Sequence, residues 1–160
     1  MAVMFTDEMQ DLASGGVVIA VGTRDAALVP AFARGWGLRF VPDSREARVC
    51  VVESTAAETF ANIADNQQIA VTFSKPTTYR TFQLKGRVLE VAPASEEEMA
   101  DVLRHRATFL DEVSAVGLPR ELATRVIAGE LERSPVLKTI RVHVDAVFDQ
   151  TPGPSAGGRL

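Results

Sequence analysis

The chain holds one cysteine, one tryptophan, one tyrosine and two histidines in 160 residues, and each scarcity removes a class of chemistry. A lone Cys50 allows no intramolecular disulfide, so the fold must rest on its core and a reducing compartment is the natural setting. It stands in the apolar run VCVV, where a thiol behaves as a small core hydrophobe rather than a nucleophile. His105 and His143 give no zinc-ligand spacing with one cysteine, so no metal is expected. His105, between Arg104 and Arg106 on a helical stretch, reads as exposed. Neither a Gly-x-Ser-x-Gly elbow nor a P-loop is present, which argues against hydrolase and NTPase readings and leaves no catalytic residue to name. No apolar run approaches the roughly 20 residues of a membrane helix, and Asp7, Glu8 and Asp11 near the start read against a signal peptide. These features predict a cytoplasmic protein without membrane contact. A net charge of −4 lacks the basic field that a nucleic-acid surface needs.

What is there is an ordinary globular composition, 46% hydrophobic and 24% charged, of a length that fits one domain over residues 1–160. Short β-branched and aromatic runs separated by Gly, Pro and Asp turns predict strands over 17–22, 28–34, 38–41 and 47–53. Pro30 confines its strand to an edge, a bulge or an unpaired register, and Gly35 and Gly37 around Trp36 predict a bulge or a close backbone approach. A short helix is expected over 5–13 with Thr6 as its cap. A second is expected over 56–65, capped by Ser54 or Thr55. Ser95 and Glu98 form a capping box for a helix reaching about Val116, closed by Gly117 and Pro119, and a further helix is expected over 118–131. A last strand runs from 137 to 148 with Ile140, Val142 and Val144 on one face. The tail TPGPSAGGRL fits neither period and reads as extended, over 150–160. Strands with helices grouped outside them predict an α+β fold, a barrel of about six antiparallel strands with peripheral helices.

The most informative stretch is IAVTFSKPTTYRTFQLKGRV, Ile69 to Val88, which reads as two strands and a turn. Alternation puts Tyr79, Thr81, Gln83 and Lys85 on one face and Arg80, Phe82 and Leu84 on the other. A file of phenol, hydroxyl, amide and ammonium is able to hydrogen-bond a flat, multi-acceptor ligand and neutralise an anion attached to it. Arg34, Trp36 and Arg39 form a second cationic and aromatic group, with Trp36 able to stack on a ring or to cover a dimer interface.

With this order of elements, the chain resembles the pyridoxamine 5′-phosphate oxidase-like family of FMN-binding split β-barrels. The likeness spans Gly15 to Ala92 plus the terminal strand and is greatest in the hairpin, where Thr81 precedes Gly86 by five residues. The segments GTRDAALVPAFARGWG and QTPGPSAG look like one branch of that family. The resemblance implies a homodimer with a flavin in each of two interface clefts. It makes Thr81, Gln83, Lys85, Tyr79, Arg34, Arg39 and Trp36 the candidate FMN contacts. An FMN-dependent oxidoreductase acting on a small molecule follows as the expected function. The alternative is a non-catalytic homodimeric binding protein whose cleft takes a flavin, haem or another ligand. One departure stands out. The family's phosphate grip usually has a Lys or Arg before the short helix, whereas Ser54–Thr59 contains an acid and no base. Another base must substitute, or FMN binds weakly, or something else fills the cleft.

Overall fold

The computed structural model describes residues 5–133 and 135–160. Six strands carry the fold: β1 (Val18–Arg24), β2 (Pro30–Phe40), β3 (Glu46–Val52), β4 (Gln68–Ser74), β5 (Thr81–Pro93) and β6 (Leu137–Asp149). They pair antiparallel in the order β3-β2-β1-β4-β5-β6, and β3 pairs with β6 to close the barrel. Closure removes the edges that so many short strands would otherwise expose. Alternation then fills the interior with hydrocarbon: Ile19, Val21, Val49, Val71, Phe73, Phe82, Leu84, Ile140, Val142 and Val144 are all fully buried. Phe82 and Leu84 therefore face the core, as the hairpin pattern predicts. At Gly86 a Cβ would lie 1.9 Å from the His143 carbonyl oxygen, so only glycine lets β5 cross β6 so closely.

The strands expected over 28–34 and 38–41 are one continuous strand, β2. Pro30 opens it, where a missing N–H is tolerated. The register slips between Gly35 and Gly37, and a Cβ on Gly35 would sit 2.4 Å from Ile19 Cγ2. This bulge reverses the strand's parity. Ala33, Leu38 and Phe40 all belong to the barrel core, while Arg34, Trp36 and Arg39 stand on the outer side.

Among the described residues four helices surround the barrel: α1 (Asp7–Ser14), α2 (Ala57–Asn66), α3 (Glu96–Ala115) and α4 (Arg120–Val126). Thr6 caps α1, the Ser95–Glu98 capping box opens α3, and Gly117 (φ +97°) follows its end. Neither Ser54 nor Thr55 caps α2. Ala56 holds that position without a side-chain bond, and the Thr55 hydroxyl turns back to the Val52 carbonyl at 3.2 Å. The helix expected over 118–131 stops at Val126 and resumes as a 3-10 turn, Ala128–Leu131. The C-terminal segment turns back on itself, and β7 (Gly158–Arg159) pairs with Phe148 and Asp149 of β6.

A second apolar layer lies outside the barrel under α3. Trp36, Cys50 and Val52 from the sheet meet Val102, Phe109, Leu110 and Val113 of α3, and Ala123 and Ala128 beyond it. His105 belongs here rather than on the surface. It is 5% exposed, lies near-parallel to Phe109 and edge-on to Trp36, and burial pushes its pKa down to about 4. Its flanking arginines suggest solvent, but the helix period turns the position between them inward. No helix among the described residues is long and apolar enough to cross a membrane.

Candidate functional site

Three concavities border the outer face of the sheet, and they divide the side chains singled out from the sequence. The first, of about 370 Å³, lies between α1, β2 and α3 and holds Arg39, Asp101, Arg104 and His105. Arg39 is neutralised there by Glu97 at 2.6 Å and by Asp101. The second, of about 620 Å³, joins Arg24, Asn66, Gln68, Lys85 and Arg87. Arg24 donates to the Gln68 side chain at 2.7 Å, and the Lys85 ammonium lies 4.8 Å from the Phe148 ring centroid. The third, of about 670 Å³, opens between β2 and the α4 segment, with Phe32, Arg34, Thr55, Arg125, Val126, Glu130 and Arg133 on its walls.

The third cleft is distinguished by its charges. Elsewhere the described arginines are spoken for: Arg48, Arg80, Arg87, Arg104, Arg106, Arg120 and Arg141 each pair with a carboxylate. Among the described residues Arg34, Arg125 and Arg133 make no hydrogen bond or ion pair, and all three line this one cleft. Arg34 lies 5.8 Å from the centroids of both Trp36 and Phe109, a cation on aromatic faces. Burial lowers its pKa from the ordinary value, opposed by the Glu130 carboxylate. A half-buried guanidinium with no carboxylate in ion-pair contact is costly, and an anionic ligand would relieve that cost. Thr55 adds a hydroxyl, and Phe32 adds an exposed ring at the mouth.

The remaining candidates do not gather around this cleft. Trp36 is 1% exposed, so it is a wall of the second core and presents no face to a ligand or to a dimer partner; Phe40 is likewise buried. Tyr79 precedes β5 in the turn, in a left-handed conformation (φ +60°), and is exposed. The Thr81 hydroxyl is occupied by Ser74 at 2.6 Å and by the Tyr79 carbonyl at 2.8 Å, and the Gln83 amide donates to Thr72 at 2.9 Å. Arg125 and Arg133 were not among the residues the sequence singled out. Glu121 stands four residues before Arg125 on α4, the spacing of an ordinary surface pair, and such spacing gives no signal for a cleft residue.

Solved structures similar over nearly the whole chain include HupZ from Group A Streptococcus, at 21% identity over 96% of this chain and 100% of that one, with a TM-score of 0.55. A pyridoxamine 5′-phosphate oxidase candidate from Lactobacillus delbrueckii aligns at 16% identity over 89% and 92%, with a TM-score of 0.52. This is the split-barrel fold of the pyridoxamine 5′-phosphate oxidase-like proteins. No protein-family profile matches the sequence, and no curated protein resembles it significantly. The split barrel accounts for the position of the third cleft, whose floor is the outer face of β2 and whose roof is the α4 segment.

Proposed function

We propose that this split barrel is a homodimeric flavoprotein of the FMN class, an oxidoreductase acting on a small molecule, with the arginine cleft as the phosphate end of its cofactor site. The observation that carries the reading is the convergence on one cleft of three guanidinium groups that make no ion pair, with a single carboxylate, Glu130, among them. The residues fit the group. A phosphate ester near neutral pH needs about two positive charges and good donors, and Arg34, Arg125 and Arg133 with the Thr55 hydroxyl offer them. The base absent from Ser54–Thr59 is thus replaced from β2 and from the segment around α4.

A bound flavin would supply hydride chemistry, which needs no nucleophile and no catalytic histidine from the chain. The chain's own tasks are to hold the phosphate, to cover the ring and to exclude water from it. Leu28, Val29 and Phe32 stand more than half exposed on or beside the β1–β2 connection, and a second protomer covering them would complete the ring's enclosure. Gln83 and Lys85 stand apart from the cleft of their own protomer, so their contacts in this reading come from the second copy. The cleft favours a flavin over haem: its described lining residues include no His, Cys, Met or Tyr to bind the iron.

Absorbance of the purified protein at flavin wavelengths, followed by FMN titration of stripped protein, tests the reading. Binding in the micromolar range or tighter is expected, and none at concentrations on the order of 50 micromolar would exclude it. Sedimentation showing only monomer at micromolar concentration would remove the dimer.

A further inference from the structure

Glu130 lies inside the arginine cleft, on the 3-10 turn Ala128–Leu131. Its Oε1 accepts from the Trp36 indole N–H, and its Oε2 accepts from the Thr55 hydroxyl at 2.9 Å. Its charge also acts on the Arg34 guanidinium. An indole nitrogen is a donor only and, when buried, must keep an acceptor. The Thr55 hydroxyl has a second acceptor in the Val52 carbonyl at 3.2 Å, so it loses little if the carboxylate leaves. Glu130 therefore fills the place of an anion, held by the donors an incoming anion would use.

We propose that Glu130 is a resident counter-anion that a ligand's phosphate must displace, and that it makes the cleft a charge filter. The proposal rests on the cofactor-site reading above. Three guanidinium groups face one carboxylate, which leaves an excess of two positive charges. A phosphate monoester carries about −1.5 to −2. It outbids the single negative charge of Glu130 for the Trp36 N–H and, with Glu130 displaced, offsets most of the charge of the three guanidinium groups. A carboxylate or other monoanion only replaces like with like, and a neutral molecule leaves the Trp36 N–H without an acceptor. The selected class is thus ligands ending in a dianionic phosphate or a pyrophosphate. The α4–Arg133 segment, which carries Arg125, Glu130 and Arg133 together, moves with the exchange.

The test compares the wild-type protein with Glu130→Gln, which keeps an acceptor for Trp36 and removes the charge. FMN, riboflavin and inorganic pyrophosphate are titrated into each. Trp36 is the sole tryptophan, so its emission reports on the Glu130 contact itself, and pyrophosphate reads it without flavin quenching. Glu130→Gln is expected to tighten FMN and pyrophosphate by roughly tenfold, the scale of one nearby like charge removed, and to leave riboflavin within about twofold. Equal FMN and pyrophosphate affinities in the two proteins would overturn the charge filter and leave the flavin reading standing. Absence of FMN binding in both, with tighter pyrophosphate in Glu130→Gln, would overturn the flavin reading and keep the filter. No pyrophosphate response in either protein would overturn the filter. Thermal unfolding checks that both are folded. Should Glu130→Gln fail to fold, Arg133→Gln, at an exposed and unpaired position, must weaken pyrophosphate, and unchanged affinity would reject the proposal.

Discussion

The barrel interior and the layer under α3 lie on opposite sides of the same strand, β2, and bury different chemistry. Inside, Ala33, Leu38 and Phe40 join a hydrocarbon core drawn from the other strands and from α1 and α2. Outside, Trp36 and Cys50 share their layer with His105 of α3, and nearby the Glu98 carboxylate accepts from the buried Thr139 hydroxyl at 2.8 Å. A closed barrel satisfies its backbone internally and can be insulated completely. The outer layer ends at a cleft, so polar groups there keep a route to water and to ligands. Stability resides chiefly inside, and the capacity for chemistry lies at the margin of the outer layer.

Substitutions on the two sides should behave accordingly. Leu84→Ala, in the interior, is expected to cost about 2–5 kcal/mol by denaturant unfolding at any pH and to leave ligand affinity per folded molecule unchanged. A loss under about 1 kcal/mol would mean that the interior is not the stabilising side.

His105 should give the outer layer a pH dependence that the interior lacks. Its folded pKa of about 4 lies below the ordinary 6.5, so between these values the unfolded chain binds more protons and folding weakens as pH falls. The contribution is complete above pH 6.5, is lost on the way down to about pH 4 and levels off below. The 2.5-unit separation corresponds to on the order of 3 kcal/mol. Unfolding curves of wild type and His105→Phe across this range should converge or cross at low pH. Parallel curves would place the titration elsewhere.

At the cleft, Arg34→Met should weaken FMN by about ten- to a hundredfold, the worth of a charge-assisted contact. It should change riboflavin much less and leave unfolding near wild type. Equal losses for both flavins would move the phosphate away from Arg34. The smallest effect belongs to Lys85→Ala, about two- to fivefold on FMN through the second copy of the proposed dimer. A larger loss than that of Arg34→Met would exchange the roles of the two regions.

Much of this molecule follows from local sequence alone. Period-two alternation assigns Phe82 and Leu84 to the core, the Ser95–Glu98 pair starts α3, and the glycines around Trp36 mark the bulge, because each depends on neighbours a few residues away. Where the pattern misled, the deciding contact was distant in sequence. His105 looks solvated between two arginines until Trp36 and Phe109 close over it. Trp36 looks like a ligand platform until α3 covers it. Arg39 looks free until Glu97 and Asp101 neutralise it. Arg125, which no sequence pattern singled out, joins Arg34 and Arg133 around a cleft that brings together β2 and the α4 segment. Local pattern was enough for the faces of the hairpin strands and for the capped starts of α1 and α3. Which cations keep their charge available depended on the folded chain, because a guanidinium's partner is set by where carboxylates fold to and not by how far along the chain they lie.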